Sequence, residues 1–250
     1  MREIDDDKLG LLLKQTGGMV AASFNCAITV LGDRLGLYRA LGEVGPSTSS
    51  ELASHLQLHE RWVREWLHQQ TCIGQLEYDG DHGKFAISPE AYAVLADEDH
   101  PAYLMGGFDS ALAVFPAVSK LEESFRTGIG MSYDEHGPNC ACGIERMGAF
   151  TKKHRLVGEM IPQLPGMHDR LVDGAMVADV GCGGGLATIT LAQAYPATTF
   201  VGYDTSDVAL ERARANLAEA GLENVRFCNP FQEPLPSDPT FDLVTTFDVI

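Results

Sequence analysis

Two spacings of apolar residues divide this chain. Up to about residue 166 they recur every three or four positions, the spacing of helices that bury one face. The stretch MVAASFNCAITVLG, Met19–Gly32, is interrupted by Ser23, Asn25 and Thr29 and reads as a buried helix, too short to span a bilayer. Thr48 and Glu51 then stand at capping-box spacing and predict a helix through about His55. In ERWVREWLHQQ, helical phase puts Trp62, Val63, Trp66 and Leu67 on one face. The segment GQLEYDGDHGKFAIS predicts strand, turn and strand, with DGDHG as the turn. Beyond about Met167 short apolar runs alternate with helical stretches: AMVADVG, LATITLAQAY, TTFVGYD, SDVALERARANLAEAG, NVRFC and FDLVTTFDV. In the second of the two helices Leu210, Ala213, Leu217 and Ala220 share a face, and Gly221 is placed to end it.

Two helices at a turn followed by a two-stranded wing predict a winged helix within residues 1–100. Residues 101–166 read as mostly helical, broken by a loop, GIGMSYDEHGPNCACG. Strand–helix alternation over residues 167–250 predicts an α/β, Rossmann-like parallel sheet with right-handed crossovers.

Composition narrows the partners. At 250 residues and 45% hydrophobic the chain buries one or two real cores. A net charge of −17 argues against nucleic acid and anionic membranes, both of which call for a basic face. The N-terminus MREIDDDK lacks the apolar core of a signal peptide, and six scattered cysteines fit a reducing cytoplasm better than a disulfide scaffold.

The chemistry gathers in VADVGCGGG, Val177–Gly185. A dinucleotide fingerprint, G-x-G-x-x-G, would place its third glycine at Leu186, and it fails there. Asp179, near the tip of the first strand, would repel a pyrophosphate and suits a ligand carrying an ammonium and a sulfonium. Asp204 ends the next strand, where an acid accepts hydrogen bonds from both ribose hydroxyls of an adenosine ligand. VADVGCGGG, FVGYD and FDLVTTFDV together resemble the glycine-rich, acidic second-strand and fourth-strand motifs of class I S-adenosylmethionine-dependent methyltransferases, over residues 167–250.

That resemblance implies S-adenosylmethionine as cofactor. It puts Asp179, Gly181, Cys182 and Gly183 beside its methionine and ribose parts, Asp204 on the ribose diol, Tyr203 and Thr205 beside adenine, and Phe247 and Asp248 at the methionine end. The family places an acid after the third strand to read adenine. This chain has NPFQEPLP, so Phe231 would stack on adenine, or Gln232 or the local backbone would supply the acceptor. Related enzymes put apolar acceptor-pocket residues where Met147 and Phe150 stand, although these two equally fit hinge packing. Tyr133 and His136 lie in a loop within reach of an acceptor. The resemblance also implies a homodimer formed through the winged-helix part, with the Met19–Leu31 helix and the Trp-bearing helix as dimer surfaces or, on the other reading, as intramolecular core.

Two further clusters read more plainly. His136, Cys140 and Cys142 in HGPNCAC lack the paired spacing of a zinc site, so no metal is expected, and KKHR, Lys152–Arg155, reads as a solvated helix face. A class I methyltransferase sheet has seven strands, and this sequence ends just after the fourth. The expectation is a truncated chain whose general base lies beyond Ile250. The function expected is methyl transfer to a small-molecule acceptor, O-methylation foremost. The alternative is a winged-helix regulator that senses an adenosyl ligand. DNA binding is disfavoured by Glu60 and Glu65 beside Arg61 and Arg64, and by the acidic wing.

Overall fold

The computed structural model describes residues 4–247, which form two compact units meeting at Leu112 and Ala113. The first opens with α1 (Asp6–Arg34), α2 (Leu37–Val44), α3 (Ser49–Leu56) and α4 (Glu60–Cys72). The hairpin of β1 (Glu77–Asp79) and β2 (Lys84–Ala86), then α5 (Pro89–Leu95), complete the winged helix. Helix α6 (Met105–Thr127) runs on into the second unit.

Local chemistry sets these boundaries. Thr48 and Glu51 form a complete capping box at the start of α3. In the wing, Tyr78 pairs with Phe85, and Phe85 bridges back to Ser47. The core of this unit holds Leu37, Tyr38, Leu41, Leu52, Trp66, Leu67 and Phe85. Gly32 of α1 lets the Trp66 ring lie against the helix, since a Cβ there would meet the ring at 2.3 Å. The indole Nε1 then donates to the Ile28 carbonyl at 3.1 Å.

Two expectations for this unit change. Helix α1 buries only Cys26, Thr29, Val30 and Gly32, while Leu9, Leu12, Met19, Val20 and Phe24 stay exposed. It is therefore not a buried helix. Trp62 does not share the core face of Val63, Trp66 and Leu67; it is 71% exposed at the edge of the helix.

The second unit continues with a short 3₁₀ turn (Tyr133–His136), α7 (Pro138–Phe150), a π-helical segment (Thr151–Met160), a 3₁₀ turn (Ile161–Gln163) and α8 (Met167–Asp173). Strand β3 (Met176–Val180), α9 (Leu186–Ala194), β4 (Thr199–Tyr203), α10 (Asp207–Ala220), β5 (Val225–Cys228) and β6 (Leu243–Thr245) follow. The predicted Gly-rich loop holds over residues 128–137, apart from the 3₁₀ turn, and its last six residues belong to α7, which begins at Pro138, where the missing N–H costs nothing. The four strands are parallel in the order β5-β4-β3-β6. Pleating sends Val177, Phe200 and Phe227 into one core with α9 and α10, and Ala178, Val201, Tyr203 and Cys228 to the other face. Gly221 ends α10 in a left-handed conformation, as its position predicts. No helix among the described residues is long and apolar enough to cross a membrane.

Candidate cofactor-binding site

Beyond Val180 the chain turns through five residues before α9. Three of its glycines take left-handed backbone: Gly181 at φ 73, Gly183 at φ 55 and Gly185 at φ 79. At Gly185 an added Cβ would meet the Phe227 ring at 2.5 Å, whereas at Gly183 it would project into open space.

The amides of this loop are engaged by the protein itself. Gly181 and Cys182 both donate to the Tyr203 carbonyl, at 2.7 and 3.0 Å, and Gly185 donates to the Cys182 carbonyl at 2.9 Å. The Gly183 N–H donates to Asp204 Oδ2 at 2.8 Å. A pyrophosphate loop turns such groups toward the phosphates; here those four donors are already used. The other oxygen of Asp204, Oδ1, accepts from the Ser206 N–H at 2.9 Å. Each carboxylate oxygen accepts more than one hydrogen bond, so Asp204 keeps acceptor capacity toward the cavity it lines.

Asp179 is placed differently from the sequence expectation. It shares the face of Val177 that packs on α9, so its side chain is only 2% exposed and does not line the cavity. Thr188 Oγ1 donates to it at 2.6 Å and Thr245 Oγ1 at 3.1 Å. Burial pushes its carboxyl above the usual range, while the two hydroxyls and the Lys152 charge pull the other way.

The cavity beside the loop measures about 410 Å³, within the range of small-ligand sites. Gly181, Cys182, Gly183, Tyr203, Asp204, Thr205, Phe247 and Tyr133 line it. Phe231 and Gln232 do not; Phe231 is 81% exposed, and Pro230 and Leu235 take the wall there instead. The turn that follows β5 holds Phe231 outward, its N–H donating to Asn229 Oδ1 at 3.0 Å. Met147, Phe150 and His136 also lie off the cavity, and Phe150 packs its ring on His154 at 5.0 Å between centroids. Asp248 lies outside the described residues.

Several lining residues escaped the sequence reading: Ile144 and Glu145 of α7, Lys152, Gly184, and Arg212 of α10. Arg212 forms an ion pair with Glu145. A Cβ at Gly184 would sit 2.7 Å from Glu145 Oε2, so the loop passes directly under this pair. Asp134 accepts a hydrogen bond from the hydroxyl of Ser206, which ties the Tyr133 turn to the start of α10. Burial pushes the Tyr133 phenol above its usual range, with further contributions from Cys140 and Asp204 in the same direction. Among the described residues no group of three or more His, Cys, Asp or Glu side chains is arranged to hold a metal ion.

Comparison with known proteins agrees with this geometry. Residues 171–250 match the family model described as a methyltransferase domain, and residues 23–97 match an Rv2258c-like winged HTH domain. No curated protein gives a significant match. Among solved structures, the mitomycin 7-O-methyltransferase MmcR superposes with a TM-score of 0.68 at 19% identity, over 98% of this chain and 73% of that one. PigF with SAH gives 0.62 at 17%, over 98% and 71%. Human N-acetylserotonin methyltransferase in complex with SAM gives 0.59 at 15%, over 98% and 72%. These likenesses establish the fold across both units, including the Rossmann-like order of the sheet. The chain therefore carries a region similar to an Rv2258c-like winged helix-turn-helix domain, followed by a region similar to a methyltransferase domain.

Proposed function

We propose that this protein is an S-adenosylmethionine-dependent methyltransferase that acts on a small-molecule acceptor, with a hydroxyl as the favoured target. The observation that carries this reading is the Asp204 carboxylate, anchored by the Gly183 and Ser206 amides beside a glycine loop whose Gly181, Cys182 and Gly185 amides are bonded within the protein. Such a site offers a diol acceptor and backbone room, and it offers no phosphate cradle, so the adenosyl cofactor fits and a dinucleotide does not.

Asp204 would hold the ribose hydroxyls. Gly181 and Gly183 would let the chain come close to the ligand, and Tyr133, Tyr203 and Phe247 would supply apolar walls. When bound, S-adenosylmethionine supplies an electrophilic methyl group on a sulfonium. The residues around it contribute alignment and exclusion of water. The preference for a hydroxyl acceptor draws on the O-methyltransferase among the structures of similar fold.

The winged-helix unit is read as a dimer-forming part of the enzyme. Its α4 pairs Arg61 with Glu65 and Arg64 with Glu60, and its wing holds Asp79 against His82, so little free positive charge is left for phosphate. The exposed apolar residues of α1 suit a second copy of the chain. A cytoplasmic site is read from the six cysteines scattered through the sequence.

Calorimetric titration with S-adenosylmethionine, its demethylated product and NAD tests the cofactor assignment. Saturable heat with the first two and none with NAD is expected. Binding of NAD alone would overturn it.

A further inference from the structure

Helix α7 borders the cavity with little core of its own. Among its described residues only Gly143 is buried, whereas α9, which starts at the same cavity with Leu186, buries five. Even so, Ala141, Ile144 and Glu145 of α7 and Tyr133 of the turn before it supply part of the cavity wall.

Two polar contacts fasten this wall to α10. Glu145 is ion-paired with Arg212, and Asp134 accepts from the hydroxyl of Ser206, the residue that caps α10. Both contacts are of modest strength. The Glu145 and Arg212 side chains are partly exposed, which weakens an ion pair. The guanidinium reaches Glu145 through a terminal nitrogen, while its Nε is buried without an acceptor. A buried donor left unpaired counts against the closed arrangement, and opening would return it to water.

The ends of the segment suit movement. On one side the chain leaves α6 through Gly128, at φ 74, where an added Cβ would project into open space. On the other side the α-helix passes into the π-helical segment at Thr151, and beyond that point Leu156 and Ile161 enter the core shared with β3 and α9. Changes of helical type within a helix recur at hinges and functional sites. A stretch with few buried apolar side chains between two such points opens at less cost than the sheet beside it.

Resting on the cofactor reading above, we propose that residues 133–150 form a lid on the cavity, latched shut by the Glu145–Arg212 and Asp134–Ser206 contacts. Ligand enters and leaves when the latch releases. While it holds, Tyr133, Ile144 and Glu145 keep water from the ligand. Asp134 and Ser206 do not line the cavity, so their contact can be cut without altering its wall.

The test compares the full chain with Asp134→Ala and with Glu145→Gln. Without ligand, amide hydrogen exchange over residues 139–150 should speed about three- to tenfold in each variant, with β3, β4 and β5 unchanged. Surface plasmon resonance with S-adenosylhomocysteine should then show association and dissociation faster by a similar factor. The Kd should stay within about threefold, because the latch holds the lid shut with and without ligand. A side chain that merely touches the ligand behaves otherwise, since its loss speeds dissociation alone. Unchanged exchange over 139–150 in both variants would overturn the latch. Faster exchange with unaltered ligand kinetics, or faster dissociation alone in D134A, would overturn the lid. Failure of the unaltered chain to bind S-adenosylhomocysteine would overturn the cofactor reading and the lid as its gate, and the exchange result, which needs no ligand, still decides the latch. Matching thermal melts of the variants and the parent exclude misfolding as the cause.

Discussion

The Gly183 amide donates to the Asp204 carboxylate at 2.8 Å and, with the Gly181 and Cys182 amides on the Tyr203 carbonyl, joins the glycine loop to the tip of β4 across the α9 crossover. Each fixes the other: the loop orients the acid, and the acid consumes the donor that a phosphate would need.

Asp204→Ala removes this bond and the acceptor for the ribose. Affinity for S-adenosylmethionine should fall about a hundredfold or more, from the loss of charge-assisted hydrogen bonds worth roughly 1.5–3 kcal/mol each. Asp204→Asn keeps one acceptor oxygen and should lose less. Titration calorimetry reads both, and unchanged affinity in D204A would place the ribose elsewhere.

Two glycines of the loop should separate folding from binding. Gly185→Ala forces a Cβ against the Phe227 ring at φ 79 and should cost about 2–4 kcal/mol of stability, from overpacking and left-handed strain together. Gly183→Ala meets no atom within 4 Å, so only its backbone strain of about 1 kcal/mol applies, and cofactor affinity should drop more than stability does. Chemical denaturation and titration on the same samples compare the two.

Asp179 should impose a pH dependence on stability. Its carboxyl is held above 3.8 in the folded chain, so the folded state keeps the proton longer than the unfolded one. This contribution is full below the unfolded value and is lost as pH rises through the folded value. Asp179→Asn removes the slope, and its stability relative to the parent should therefore climb as pH rises through that window. Denaturation midpoints at a series of pH values give the sign.

Phe24, 72% exposed on α1, tests the second-copy reading of that helix. Phe24→Glu should convert a dimer to a monomer in light scattering after size exclusion, with the helical content unchanged. A parent protein that is itself monomeric would remove the dimer from the proposed function.

Much of the frame was legible in the residues because it rests on local rules. The Thr48–Glu51 capping box, the Gly221 stop and the strand–helix alternation each act within a few positions. What was not legible depends on neighbours. An apolar run such as Met19–Leu31 does not say whether another surface covers it. Asp179 stands near a strand tip in sequence, but the pleat puts it on the α9 face, where Thr188 and Thr245 enclose it. Exclusion of a dinucleotide therefore rests on the inward-turned loop amides and no longer on the charge of Asp179. Lys152 was read as part of a solvated face because it stands in a run of charges; it lines the cavity instead, in the segment that is π-helical from Thr151. Phe231 was placed by analogy with a motif, yet the Asn229 turn directs it to solvent.

The inward-turned loop also bears on how this site behaves in a crowded solution. A glycine turn with open amides attracts every small anion around it, and its true ligand has to displace them. Here the Tyr203 carbonyl, the Cys182 carbonyl and Asp204 have taken those amides already. Inorganic phosphate, sulfate and free nucleotides consequently find little purchase on the Gly181, Cys182, Gly183 and Gly185 amides.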